Sequence, residues 1–445
     1  MEKETATGRT TVISAILDDA IVETVYRPEE GETAFAVDHG DSTEIVSEWR
    51  HGSTVLRPVR PQNNLIRHGA LVLPSQLSEF GDVAQLTAAI EAYIRRYVVL
   101  SDQALAVTTA YVLLSWVYDA FNELPYLRFR GDYGTGKTRA LLVVGSLCYK
   151  AFFASGASTV SPIFHTLDSF KGTLVFDEAD FRFTDEKAEL VKILNNGNVK
   201  GFPVLRTHVT PRNEFDPRAF AIFGPKIVGM RRSYEDRALE SRFLTIEMAP
   251  GRPTGVPINL PDEQKAEALE LRNQLLMFRF RSRRTVRLDP TLRDDALEPR
   301  MNQILLPLLS VVPDKEMRSA IRDLARGFQA EILQERSSTT EGHLLSVLAV
   351  MVAACPGKLS LSEVTAIFAS RYGSDYDRPI VGRWIGGILR RLGISLYKSM
   401  GLFVLVPGQE QKIAILCERY GIESPVQGDR EIGTSAGESG STPQA

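Results

Sequence analysis

Over the first seventy or so residues, apolar and polar positions alternate in short runs: TTVISAILDD, AIVETVYR, TAFAVDHG and STEIVSEWR. Gly, Glu, Pro and Asp break them apart. Period-two runs bounded by turn formers predict strands, so residues 1–75 are read as a small β-rich N-terminal module. SQLSEFGDVAQLTAAIEAYIRRYVVLSDQ then shifts to helical spacing, and the apolar stretch ALAVTTAYVLLSWVYDAF from Ala104 predicts a buried core helix. Over 76–250, apolar strand runs (YLRFRG, AFFASG, GTLVFDEAD, KIVGM, FLTIEM) alternate with helical segments, which predicts an α/β core with a parallel sheet. Residues 251–340 carry helical patterns rich in Leu, Arg and Glu, without strand runs. At 341–422, HLLSVLAVMVAAC, SLSEVTAIFASRYG and RPIVGRWIGGILRRLG predict three helices, and ISLYKSMGLFVLVP two strands around Met400-Gly401. Ser360 is a predicted cap, with a glutamate three residues on. The tail 423–445 is poor in apolar residues and is expected to be disordered.

Composition narrows the classes. At 445 residues the chain has room for two or three domains. With 44% hydrophobic and 24% charged residues and a net charge of −3, any DNA contact must come from local basic patches. Cys148, Cys355 and Cys417 lie far apart, against a disulfide framework or a zinc site. The apolar stretch from Ala104 contains hydroxyls and Asp119, and MEKETATGRTT lacks the apolar core of a signal peptide. The expectation is a cytoplasmic protein with no membrane partner.

The chemistry concentrates in one place. GDYGTGKT, Gly131 to Thr138, matches G-x-x-x-x-G-K-[ST] (Walker A) and stands between the strand YLRFR and the helix TRALLVVGSLCYK. Gly131, Gly134 and Gly136 let the loop's N–H groups, those of Asp132, Tyr133 and Thr135 included, turn toward phosphates. The helix start, running into Arg139, adds partial positive charge. Lys137 supplies a charge for the β- and γ-phosphates, and Thr138 a hydroxyl ligand for Mg²⁺. Downstream, GTLVFDEAD ends an apolar strand in Asp177 and Glu178 (Walker B). Asp177 would hold Mg²⁺ through water and Glu178 would polarise the attacking water. The cofactors read from these motifs are ATP and Mg²⁺.

Further on, KIVGMRRSYEDRALESRFLTIEM reads as strand, polar linker, short helix, Ser-Arg, strand. Here the chain resembles the AAA+ class of P-loop NTPases. The resemblance implies that Arg242 of ESRF reaches the nucleotide of a neighbouring subunit, with Arg237 as the alternative. It puts a sensor near Met230, Arg231 and Arg232, where the family carries Asn, Ser or Thr. It makes 251–340 a helical lid, with Arg300 of LEPRMNQ as a second sensor over the γ-phosphate. FPVLRTHV, TPRN and EFDPRAFAIF can pair as a β-hairpin. Superfamily 3 and minichromosome-maintenance-type helicases carry a hairpin here that projects into the channel of a ring, which implies phosphate contacts by Lys200, Arg206, His208 and Arg212. The C-terminal helices and hairpin have the layout of a winged helix. Arg378, Arg383, Arg390, Arg391 and Lys398 could meet DNA phosphates there, with protein docking as the other use. FRFRSRRTVR from Phe278 is the other dense basic run, and its alternation suits a lid helix or a strand facing solvent equally well. LPYLRFRGDYGTGKTR, ASGAST and DEADF, in this order, look like ATPases of phages and integrated mobile elements, often found near primase or replication functions.

The sequence therefore predicts an α/β protein: an AAA+-like core with a helical lid, a β-rich N-terminal module and a C-terminal winged helix. It would assemble as a homo-oligomeric ring and hydrolyse ATP to unwind or remodel DNA, with a primase or replication protein as a further partner. The alternative is an ATP-switched, DNA-bound regulator or loader that does not translocate. A defence-system ATPase would need only the core and a protein-docking winged helix.

Overall fold

The computed structural model describes residues 8–177, 185–209, 215–234, 236–248, 255–354 and 359–423; the side chains of residues 185–188, 208, 209 and 215 also fall outside the description. The chain opens with strands β1 (Gly8–Val12), β2 (Ser14–Ile16), β3 (Ile21–Arg27), β4 (Glu32–Asp38), β5 (Thr43–Val46), β6 (Trp49–His51) and β7 (Thr54–Pro58). They form an antiparallel sheet in the order β2-β3-β4-β5 and a second sheet, β1-β7-β6. Ala20, Val22, Phe35, Val37 and Leu56 cluster in a small core. These strands do not stand alone. The Tyr26 N–H donates to the Pro74 carbonyl, and Glu23, buried in the middle of β3, pairs with Lys150 and Arg279 far along the chain.

Helices α1 (Asn64–Arg67), α2 (Val83–Tyr97) and α3 (Asp102–Val117) follow. A reciprocal cap between Asp82 and Gln85 starts α2, and Ser101 caps α3. The segment that read as one apolar stretch is α3, buried on every side, as expected of a helix apolar all round.

The central region comprises β8 (Tyr126–Arg130), α4 (Lys137–Gly145), β9 (Phe152–Ser155), α5 (Val160–Phe170), β10 (Leu174–Asp177), α6 (Asp185–Asn196), β11 (Val204–Val209), β12 (Phe215–Phe220), β13 (Lys226–Met230), α7 (Arg237–Glu240) and β14 (Phe243–Glu247). Five of the strands form one parallel sheet in the order β14-β8-β13-β10-β9, while β11 and β12 pair as a separate hairpin. A parallel sheet covered on both faces explains why its strands read as unbroken apolar runs. The fold is thus mixed α/β. Because β13 lies between β8 and β10, the carboxyl end of β13 falls between the Gly-rich loop and Asp177.

Three longer helices follow: α8 (Glu263–Arg283), α9 (Pro299–Val311) and α10 (Lys315–Ser337). Within the segment 251–340 read as a helical lid, α8 packs against α2 and α3. Its Leu275, Leu276, Phe278 and Phe280 are buried, and buried Arg272 donates to the Leu73 and Ser146 carbonyls. The FRFRSRRTVR run is corrected. Arg279 is buried between Glu23 and Asp119, Arg283 pairs with Asp119, Arg281 with Glu79 and Arg284 with Asp38.

The chain divides into two compact units, 1–326 and 327–445. The second unit holds α11 (Thr340–Ala354), α12 (Leu361–Tyr372), α13 (Gly382–Arg391), the antiparallel pair β15 (Leu396–Ser399) and β16 (Leu402–Leu405), and α14 (Glu410–Arg419). Leu344, Leu348, Val364, Phe368, Ile385 and Leu389 form its core. Ser360 and Glu363 make the reciprocal cap that the spacing predicts. Positive φ at Met400 and Gly401 marks the tight turn between β15 and β16. Helix α14 was not anticipated. The tail from 424 lies outside the described residues. Among those described, no helix is long and apolar enough to cross a membrane.

Candidate nucleotide site

The loop from Gly131 to Gly136 leaves the carboxyl end of β8 and delivers the chain into α4 at Lys137. Gly136 has φ +90°, a left-handed conformation that glycine adopts without strain. It is the N-cap of α4 and has no side chain to bond the first-turn amides, so those N–H groups stay free to meet an anion. Asp132, Tyr133 and Gly134 are exposed, while Thr135 turns its hydroxyl onto the Asp132 carbonyl at 2.9 Å. The Lys137 Nζ bonds the Gly131 carbonyl at 2.8 Å and the Asp132 carbonyl at 2.7 Å, which parks the cation across the loop mouth.

Across β13, Asp177 at the end of β10 meets the loop. Its Oδ2 accepts from the Thr138 hydroxyl at 2.6 Å. Gly229 on the intervening strand makes this approach possible. A Cβ there would come within 2.8 Å of Leu141 on α4 and 3.0 Å of the Asp177 carboxylate. A hydroxyl and a carboxylate side by side at a free helix start are hard oxygen donors suited to Mg²⁺ beside a phosphate.

Three arginines lie at the loop, on α4 and within β8. Arg231, just past β13, sets its guanidinium 3.9 Å from the centre of the Tyr133 ring and bonds the phenol oxygen. Arg139 donates to the carbonyls of Pro257 and Ile258, pinning that segment beside α4. Arg128, fully buried in the middle of β8, forms a bidentate pair with Glu240 on α7 and bonds the Thr245 hydroxyl. Sequence reasoning missed Gly229, Arg128 and Glu240. An arginine inside an otherwise apolar strand was the available signal for Arg128.

Arg242 sits at the opposite end of the strands, just before β14. Its carbonyl accepts from the Tyr126 N–H at the start of β8, about 16 Å from Gly131 along a strand rising some 3.3 Å per residue. Its guanidinium bonds the Asn195 and Asn198 side chains, each at 2.9 Å. Burial and then the nearby Arg300 cation lower its pKa. Arg300 is therefore a neighbour of Arg242. Glu178 and Arg212 lie outside the described residues, as does the side chain of His208, whose backbone is in β11.

The hairpin of β11 and β12 forms where the alternation put it, but two of its expected DNA contacts are engaged elsewhere. Lys200 precedes it and folds back, its Nζ donating to the Asp119 carbonyl at 2.8 Å. Arg206 pairs with Glu189 at 3.1 Å and lies over the Phe164 ring. In the second unit Arg383, Arg390 and Lys398 are exposed, and Arg391 pairs with Glu341 at 3.2 Å.

No protein-family model matches this sequence, and no curated protein does. Among solved structures the chain is similar to SCCmec type IV Cch, described as an active helicase, at 12% identity and a TM-score of 0.39 over 90% of this chain and 96% of that one. It is similar to the apo C-terminal region of NrS-1 at 12% identity and a TM-score of 0.37, over 87% and 96% of the two chains. The JCV helicase matches at 17% identity and a TM-score of 0.24 over 59% and 64%. These likenesses are loose, and the functional reading rests on the residues of this chain.

Proposed function

We propose that this protein is a Mg²⁺-dependent ATPase with an AAA+-like core that works as a homo-oligomeric ring to unwind or remodel DNA in the replication of a phage or mobile element. The observation that carries the ATPase reading is the meeting of Thr138 and Asp177 at 2.6 Å beside an α4 start that no side chain caps. Thr138 and Asp177 would hold Mg²⁺, which when bound neutralises charge on the β- and γ-phosphate oxygens. Lys137 would exchange the loop carbonyls for phosphate oxygens, and the free amides of the loop and of α4 would take the rest. Glu178 would orient the attacking water, and Arg231 would stand beside the γ-phosphate. Arg242 lies a strand's length from its own loop, so it and Arg300 would serve the nucleotide of the next subunit. Arg383, Arg390 and Lys398 would bring DNA to the second unit in a winged-helix role.

A regulator that does not translocate is favoured by a separate observation: Lys200 and Arg206 are occupied by partners within the chain. ATPase rates with and without single-stranded DNA, together with mass in ATP, test both readings. Strong stimulation and a ring support the motor. Hydrolysis that ignores DNA supports the regulator, and no hydrolysis at all overturns both.

A further inference from the structure

At the root of the β11–β12 hairpin lies a cavity of about 300 Å³ that the ATPase site does not use, lined by residues of α5, α6 and both hairpin strands. That volume is at the lower end of small-molecule sites, about 300–1,000 Å³. Its chemistry is unusual for a hairpin root. Arg206 and Arg218 occupy directly paired positions across the two strands. Like charges placed so are destabilising unless something negative answers them. Glu189 answers Arg206 at 3.1 Å, and Asp216 stands 3.5 Å from Arg218; both arginines stay about half exposed.

The wall beside them is aromatic. Phe164 and Phe220 pack with ring centres 4.9 Å apart, and exposed His165 sits 4.5 Å from Phe220. The Arg206 guanidinium is 5.2 Å from the centre of the Phe164 ring, so Phe164 and Glu189 together hold it in place. Flat aromatic and guanidinium surfaces next to Arg218, half exposed and 3.5 Å from Asp216, match the chemistry of an unstacked base and its phosphate.

We propose that this cavity holds one unstacked nucleotide of a single nucleic-acid strand, the base against His165 and Arg206 and a flanking phosphate on Arg218. The proposal deepens the DNA-directed reading above and rests on it. The test is anisotropy of labelled oligo-dT and of a duplex of equal length, measured on the full chain across a salt series. His165→Ala is expected to weaken oligo-dT binding roughly tenfold, the scale of one lost stacking contact, with the salt slope unchanged. Arg218→Ala is expected to weaken it and to reduce the log–log salt slope by about 0.7, the share of one phosphate contact on a single strand. Both side chains are exposed, and basal ATP turnover without DNA is expected to match the wild type, which reports an intact fold. Unchanged oligo-dT affinity in both variants overturns the proposal, as does an equal loss for duplex. Tight binding of free dTMP with no gain from a longer strand also overturns it, in favour of a mononucleotide site. Failure here with normal ATPase activity leaves the ATPase reading standing, whereas a wild type that hydrolyses no ATP removes that reading whatever the anisotropy shows.

Discussion

Two polar clusters in the first unit use the same residue types to opposite ends. At the loop, Lys137, Thr138 and Asp177 are partly exposed and bond one another or nearby carbonyls, and the amides of α4 have no side-chain cap. Under α8, Glu23, Lys150 and Arg279 are almost completely buried, and the network extends to Tyr149, Asp119 and Arg283. Burial raises the Asp119 pKa, but Arg279 and Arg283 together overcome this and hold it at about 2. The first cluster stands at a helix start that no side chain caps, open to a ligand. In the second the charges answer one another, which ties β3, α3 and α8 together. Polar groups at the surface beside an uncapped helix start mark where binding can occur; buried ones of opposite charge mark where the fold is held.

The largest expected effect breaks the comparison at the loop. Lys137→Ala is expected to remove ATP turnover by at least about 10²-fold, the scale seen when a group stabilising transition-state charge is deleted. Glu178→Gln should do the same, both with an unchanged denaturation midpoint. ATPase rate and urea melts on the same samples check this. A large loss of stability in Lys137→Ala would mean that the two clusters do not differ in kind.

Next comes Arg279→Ala, which leaves Glu23 with Lys150 and Asp119 with Arg283 but removes the guanidinium that bridges them. Removing one partner from a buried pair costs about 3–5 kcal/mol, so the urea midpoint should fall sharply. ATP affinity per folded molecule should stay unchanged by titration with a fluorescent analogue. Lost affinity with intact stability would move Arg279 into the functional class.

Lys226 sharpens the contrast at lower cost. It is buried at the start of β13, with Nζ donating to the carbonyls of Gly197, Ile222 and Gly224 at 2.9–3.1 Å. Burial pushes its pKa down to about 7. Lys226→Met would strand those acceptors, at about 1–3 kcal/mol for an unsatisfied buried group. A melt shifted by that amount, with turnover retained, is the expected result.

The two clusters were unequally legible in the sequence. The loop's chemistry is local: eight consecutive residues spell it, and the strand that delivers Asp177 ends visibly in acids. The hairpin and the C-terminal helices were legible for the same reason, since their periodicity and turn residues sit within a few positions. The buried network was not legible. Glu23 and Arg279 are 256 residues apart, and only tertiary packing pairs them. FRFRSRRTVR looked like a basic surface because a run of charges is silent about its partners. Arg279 and Arg283, four apart on one helix face, both reach Asp119, a pairing that spacing alone could not supply. Where Arg242 and Arg300 sit was not legible for a related reason: motif order fixes neither which end of a strand a residue occupies nor which subunit it serves.

The smallest effect is a pH dependence that belongs to the buried cluster. Burial lowers the Lys150 pKa to about 8, with Glu23 acting against the shift and Arg279 adding to it. An unfolded lysine titrates at about 10.4. Since the folded value is the lower, the unfolded chain binds more protons between the two, and stability rises with pH across that window. The penalty for holding the charged amine is complete below about pH 8 and relieved as the pH climbs. Lys226 acts in the same sense. Tyr149 acts in the other: burial raises its pKa well above the usual value, so above about pH 10 the unfolded chain loses that proton first. The usable interval is roughly pH 8 to 9.5, where the wild-type urea midpoint should rise. Lys150→Met should remove part of the rise and leave the share owed to Lys226. If both proteins give the same slope, Lys150 keeps its proton throughout, and the Glu23 carboxylate outweighs the cost of burial at that position.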